Sequence, residues 1–122
     1  PLHLRLDESG GEALGHAETL RLLEAHPEVD AILAMVDVFA AGACRAAREL
    51  GRAIPGDLRI ATRYDGPRSL AAEPPLTAVN LGLPEVAREA VKMLIPMIEG
   101  DPAPARVLAP DARLTVRAST LA

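Results

Sequence analysis

The chain has 122 residues and a formal charge of −4, from 17 acidic and 13 basic side chains, with the basic residues scattered singly along it. That length suits one domain, and without a stripe of Lys and Arg there is no direct surface for nucleic-acid phosphates. A single cysteine, Cys44, excludes an internal disulfide; no apolar run is long enough to cross a membrane; and with one Phe, one Tyr and no Trp the core must be aliphatic.

In chain order, Leu2, Leu4 and Leu6 alternate with His3 and Arg5, which predicts a short half-buried strand closed by Ser9-Gly10-Gly11. A helix is expected from Glu12 to His26, with Ala13, Ala17, Leu20 and Leu23 on its inner face and Glu18, Arg21 and Glu24 turned away. Pro27 stops it. Ala31 to Val36 is a continuous apolar run flanked by acids, as expected of a strand buried on both faces of a parallel sheet. Asp37 follows, and then Phe39, Ala43, Ala46, Ala47 and Leu50 repeat at helical spacing until Gly51, which predicts a helix over 38–50. Cys44 lies within that helix among alanines and reads as a buried, inert thiol.

Ile54-Pro55-Gly56-Asp57 is a turn and Leu58 to Thr62 the next strand, so the first half reads β-α-β-α-β with short connections, a doubly wound parallel α/β unit. Thr77 to Leu81 predicts a further strand. Pro84 then opens a helix to Glu99 with Ala87, Ala90, Val91, Leu94 and Ile98 on one face, and Pro96 is expected to kink its last turn. After the stiff link Asp101-Pro102-Ala103-Pro104, two short strands are expected, Arg106–Leu108 and Arg113–Arg117. The chain starts at Pro1 without a methionine and reads as a fragment of a longer protein.

An ordered series of segments carries a resemblance: Ala31-Ile32-Leu33-Ala34; an Asp opening a helix with Ala40, Gly42 and Ala43; Glu49-Leu50-Gly51; Ile54-Pro55-Gly56-Asp57; Tyr64-Asp65; Pro74-Pro75-Leu76-Thr77-Ala78-Val79; and Leu114 to Thr120. The series resembles the effector-binding domain of lactose-repressor and galactose-repressor (LacI/GalR-type) transcription regulators. It covers most of Ala31 to Thr120, while residues 1–30 fit the preceding strand and helix less specifically. The resemblance implies a DNA-reading helix-turn-helix ahead of two α/β lobes of the periplasmic-binding-protein type, joined by three crossovers, with a small molecule in the cleft between them. Nothing in this chain is similar to the DNA headpiece or the body of the first lobe. On this basis residues 1–76 and 105–122 are expected to form the C-terminal lobe, and 77–104 a crossover strand and helix that pack on the first lobe. The apolar face of that helix is then expected to pack on a neighbouring chain or fold back on its own lobe.

Four residues stand out as candidates. Asp65, on the loop after a parallel strand, matches the aspartate that accepts hydrogen bonds from ligand hydroxyls in that family; it also reads as a turn residue in Asp-Gly-Pro, and the two roles are compatible. Asp37 reads first as the N-cap of the following helix and second as a ligand contact, since the family's neighbouring asparagine is here Val36. Arg63, where the family commonly has glycine, suits a carboxylate or phosphate on the ligand, or else an ion pair with Asp65 or a solvated strand end. Together Val36 and Arg63 weigh against a plain neutral sugar and towards an acidic or phosphorylated one. Tyr64 can flank a ligand or lid the core. Arg117 and Ser119 match the family's closing motif and read as structural.

The function expected is that of a sugar-sensing, non-catalytic part of a repressor in the cytoplasm, homodimeric through helix 38–50 and the exposed helix 84–99, touching DNA only through the missing headpiece. The alternative is a solute-binding protein of a sugar transporter, which shares the fold. An enzyme is not expected: there is no Gly-rich phosphate loop and no nucleophile–base pair, and the lone Lys92 is on a helix. His3, His16 and His26 lack metal-ligand spacing, so neither metal nor cofactor is expected.

Overall fold

The computed structural model describes residues 1–102 and 110–121. After a 3-10 turn at Glu8–Gly10 the elements are α1 (Gly11–Ala25), β1 (Ala31–Ala34), α2 (Asp37–Glu49), β2 (Arg59–Thr62), α3 (Pro67–Ala71), β3 (Thr77–Asn80), α4 (Leu83–Ile98) and β4 (Arg113–Thr115). The four strands make one open sheet in the order β1-β2-β3-β4, parallel except for the last. Ile32 lies beside Ile60 and Ala34 beside Thr62 on β2; Thr62 in turn lies beside Ala78, and Ala78 beside Thr115 of the antiparallel β4. The strand expected at Arg106–Leu108 lies outside the described residues.

Alternation along each strand divides the sheet into two faces. On one, Ala34 and Ile60 meet Leu23 of α1 and the alanines of α2, with Leu58, Leu76 and Cys44 completing the core. On the other, Leu33 and Leu114 are each 64% exposed. The Ala31–Val36 run, read as buried on both faces, is therefore an edge strand covered on one side. An apolar run marks a strand without revealing how many layers cover it. Burial of Cys44 pushes its thiol up to about 11, opposed in part by the positive charge of Arg48, so the thiol is protonated at neutral pH.

Two other expectations are corrected. Residues 1–7 form no strand, and Leu2 and Leu4 are 54% and 53% exposed. They run beside β1 across an open groove, and alternation without a hydrogen-bonded neighbour does not make a ladder. The inner face of α1 is Gly15, Thr19 and Leu23, rotated from the Ala13–Ala17 face that hydrophobicity favoured. The cause is contact between helix backbones: a Cβ on Gly15 would sit 2.7 Å from the Phe39 Cα, and one on Gly42 would sit 2.5 Å from the Glu12 carbonyl oxygen. Beside this crossing the His16 ring bridges α1 to α2, with Nε2 2.7 Å from the Glu49 carboxylate and Nδ1 3.1 Å from the Arg45 guanidinium.

The segment after β4 locks the sheet. The fully buried Ser119 donates its hydroxyl to the Ile60 carbonyl and accepts from the Thr77 amide at 2.8 Å. Its own backbone amide and carbonyl bond Pro75 and Ile60. Replacing Ser119 with alanine removes two hydrogen bonds to buried backbone groups, so urea unfolding should show a loss of about 2 kcal/mol. A loss too small to resolve would mean that the neighbouring strands close the gap.

Helix α4 has no buried residue; Leu94, Ile95 and Ile98 are 53%, 51% and 75% exposed. It does not fold back on the lobe.

Candidate functional site

Parallel strands end on a common edge, and the loops after β1 and β2 bring the candidate residues there. After β2 come Arg63, Tyr64 and Asp65. The Arg63 amide donates to the Ala34 carbonyl at 3.3 Å, which ties the start of this loop to the end of β1. Asp65 is then gripped from three sides. Its Oδ1 accepts from Arg117 Nη2 at 2.6 Å, and its Oδ2 accepts from Thr115 Oγ1 at 3.0 Å and Asn80 Nδ2 at 3.3 Å. The Asp65 side chain is 10% and the Arg117 side chain 15% exposed.

Burial alone would raise the Asp65 pKa, but hydrogen bonds from Arg117 and Thr115, the Arg117 charge and the bond from Asn80 outweigh it and hold the group below its ordinary value of 3.8. A carboxylate whose folded pKa is depressed stabilises the fold fully above the unfolded pKa and loses that contribution as pH falls through 3.8 towards the folded value. Urea midpoints measured from pH 6 down to pH 3 should therefore fall less steeply in Asp65→Asn than in the parent. Equal slopes would contradict the assignment of this acid sensitivity to Asp65.

Asp37 is buried but is not the N-cap. The cap is Val36, with φ −129° and ψ 138°, and its carbonyl accepts from the amides of Phe39 at 3.1 Å and Ala40 at 3.2 Å. Asp37 occupies the first turn instead, where a negative charge meets the positive end of the helix. Its carboxylate lies 3.6 Å from Arg68 of α3, a short helix that the sequence reading did not place. Tyr64 is 38% exposed; its carbonyl accepts from Ser69 Oγ at 2.6 Å, and its ring lies against Gly66, where a Cβ would collide with it. Arg63 is exposed and has no carboxylate partner among the described residues; the pairing considered for it with Asp65 is made by Arg117.

The structure thus joins Asp65 to Asn80, Thr115 and Arg117, none of which was proposed as a partner from sequence. Asn80 offered one signal, a polar amide closing the apolar strand Thr77–Val79. Thr115 and Arg117 offered none, because they are 50 and 52 residues from Asp65.

Residues 3–120 match the family described as periplasmic binding protein-like domain. A lactose operon repressor of Rhizobium radiobacter is 34% identical over 84 residues, covering 69% of this chain and 73% of that protein. The chain belongs to the LacI family. A ribose operon repressor of Halalkalibacterium halodurans is 41% identical over 85 residues, 69% of this chain and 25% of the repressor. Among solved structures, the transcriptional regulator CelR–cellobiose complex superposes with a TM-score of 0.80 at 31% identity, over 95% of this chain and 37% of that one. A LacI family transcriptional regulator from Arthrobacter sp. FB24 in complex with lactose gives 0.81 at 31%, over 91% and 42%. The chain thus spans about a quarter of the ribose repressor's length. These LacI-family relatives are transcription regulators, not enzymes, and among the described residues no helix is long and apolar enough to cross a membrane.

Proposed function

We propose that this LacI-family chain is the C-terminal lobe of the effector-sensing domain of a transcriptional repressor, and that a saccharide or sugar derivative binds at its strand-end edge. The observation that carries this reading is the Asp65 carboxylate, fixed by three donors at the carboxyl end of a parallel strand. An ionised carboxylate has about four acceptor positions. Three are taken by Arg117, Thr115 and Asn80, which leaves room for a ligand hydroxyl on an acceptor that cannot swing away. Relatives solved with cellobiose and lactose support a carbohydrate.

In this reading the opposite wall of the cleft belongs to a first lobe. β3 stays in the sheet between β2 and β4, and α4 is the element that reaches across, its exposed Leu94 and Ile98 packing on that lobe. Effector in the cleft favours whichever lobe arrangement contacts it on both sides, and that shift in population alters the grip of a helix-turn-helix on DNA. The protein works without catalysis, in the cytoplasm, as a homodimer in which α2 and α4 are the candidate contact helices. Relatives that are repressors weigh against the transporter alternative.

The test is a thermal-shift screen of the complete protein against mono- and disaccharides, followed by operator binding with and without each hit. A saccharide that raises the melting temperature and changes operator affinity supports the proposal. Stabilisation by no saccharide would contradict it.

A further inference from the structure

We propose that Arg63 selects an anionic effector, a sugar bearing a carboxylate or a phosphate; the proposal rests on the saccharide-sensing reading above. Ion pairing at the strand ends carries it. Two carboxylates follow the strand ends, Asp37 in the first turn of α2 and Asp65 in the loop after β2, each already matched by a guanidinium: Arg68 lies 3.6 Å from Asp37 and Arg117 lies 2.6 Å from Asp65. Of the guanidinium groups that follow β1 and β2 at this edge, Arg63 is left without a carboxylate partner among the described residues, and it is exposed to solvent.

Its position is fixed where a ligand is expected. The Arg63 amide is bonded to the Ala34 carbonyl, so its backbone sits at the joint ends of β1 and β2, two residues before Asp65. Asp65 offers an acceptor that suits a hydroxyl, and Arg63 offers a planar fork of donors that suits the two oxygens of a carboxylate or phosphate. Together they describe a hydroxylated anion. A neutral sugar would satisfy the first group and leave the second in water. Arg113, opposite Asn80 at the start of β4, is a second exposed cation on the same edge and serves as the control for a general charge effect.

The experiment uses the complete protein and matched triplets: glucose, glucuronate and glucose 6-phosphate; galactose, galacturonate and galactose 6-phosphate. Affinities are measured by calorimetry at constant ionic strength in the parent, R63Q and R113Q, with thermal unfolding to confirm that each variant is folded. One anionic member should bind the parent at least about tenfold more tightly than its neutral counterpart, and R63Q should erase that preference while changing neutral-sugar affinity by less than about threefold. Uronate and phosphate arms decide which anion is read. Equal or tighter binding of the neutral sugars, a preference that survives in R63Q, or an equal loss in R113Q would each overturn the assignment to Arg63. If folded protein takes no member of either triplet, this proposal falls, while the sugar-sensing reading stands or falls with the wider mono- and disaccharide screen.

Discussion

Gly42→Ala should destabilise the lobe by about 3 kcal/mol, a large part of the 5–15 kcal/mol that holds a typical domain folded. The added methyl would lie 2.5 Å from the Glu12 carbonyl oxygen and 2.7 Å from the Gly15 carbonyl carbon, and closer still to the His16 amide. These are helix backbone atoms, so no rotamer change relieves the overlap and α1 must move off α2. Such a shift also breaks the seat of Leu23 against the core and the His16 bridge to Glu49. The opposing Gly15→Ala should behave similarly, because its methyl meets the Phe39 Cα at 2.7 Å and the Phe39 carbonyl oxygen at 3.0 Å. Gly56→Ala is the control: its methyl would meet only the Ala53 Cβ, at 3.5 Å. Urea denaturation at fixed m-value reads all three. A Gly42→Ala midpoint equal to that of Gly56→Ala would show that the helices are not packed backbone to backbone.

Arg117→Met is the second large effect, again about 3 kcal/mol, because it leaves the Asp65 charge nearly buried without its cation. Arg117 joins three segments of chain. One guanidinium nitrogen donates to the Leu76 carbonyl at 2.7 Å, the other donates to Asp65 at 2.6 Å, and the backbone amide donates to Thr77 Oγ1 at 2.8 Å. Methionine keeps much of the aliphatic stem and the amide, so the loss reports on the two guanidinium bonds. Asp65→Asn combined with Arg117→Met should be more stable than Arg117→Met alone, since the stranded charge is gone. Strict additivity of the two single changes would contradict the pairing.

How much of this was legible in the sequence depended on range. Helix 38–50 and the strand before Arg63 could be read from local spacing, and both formed within a residue or two of their expected limits. Asp65 could be singled out because strand-end loops carry sites, yet its three partners lie 15, 50 and 52 residues away, at separations that no local pattern encodes. α1 was read as a helix but turned to the wrong face, since hydrophobicity ranks Ala13 and Ala17 above Gly15 and Thr19 while backbone contact demands the smallest residue. Asp37 was assigned to the cap by residue type, whereas the chain enters the helix one position earlier, at Val36. The apolar stripe of α4 was visible from its spacing; that it stays exposed on this lobe was not, because a stripe records apolar surface and not what lies against it.

The proposed function rests on Asp65 as the residue that holds the effector. Calorimetric titration of the complete protein and its Asp65→Asn variant, using the saccharide that gives the largest thermal shift, tests it most directly. Asparagine keeps the shape and one acceptor oxygen but removes the charge, so binding should weaken by about tenfold or more while the variant remains folded at neutral pH. Unchanged affinity in a folded Asp65→Asn protein would contradict the account and leave Asp65 as the anchor of Arg117 alone.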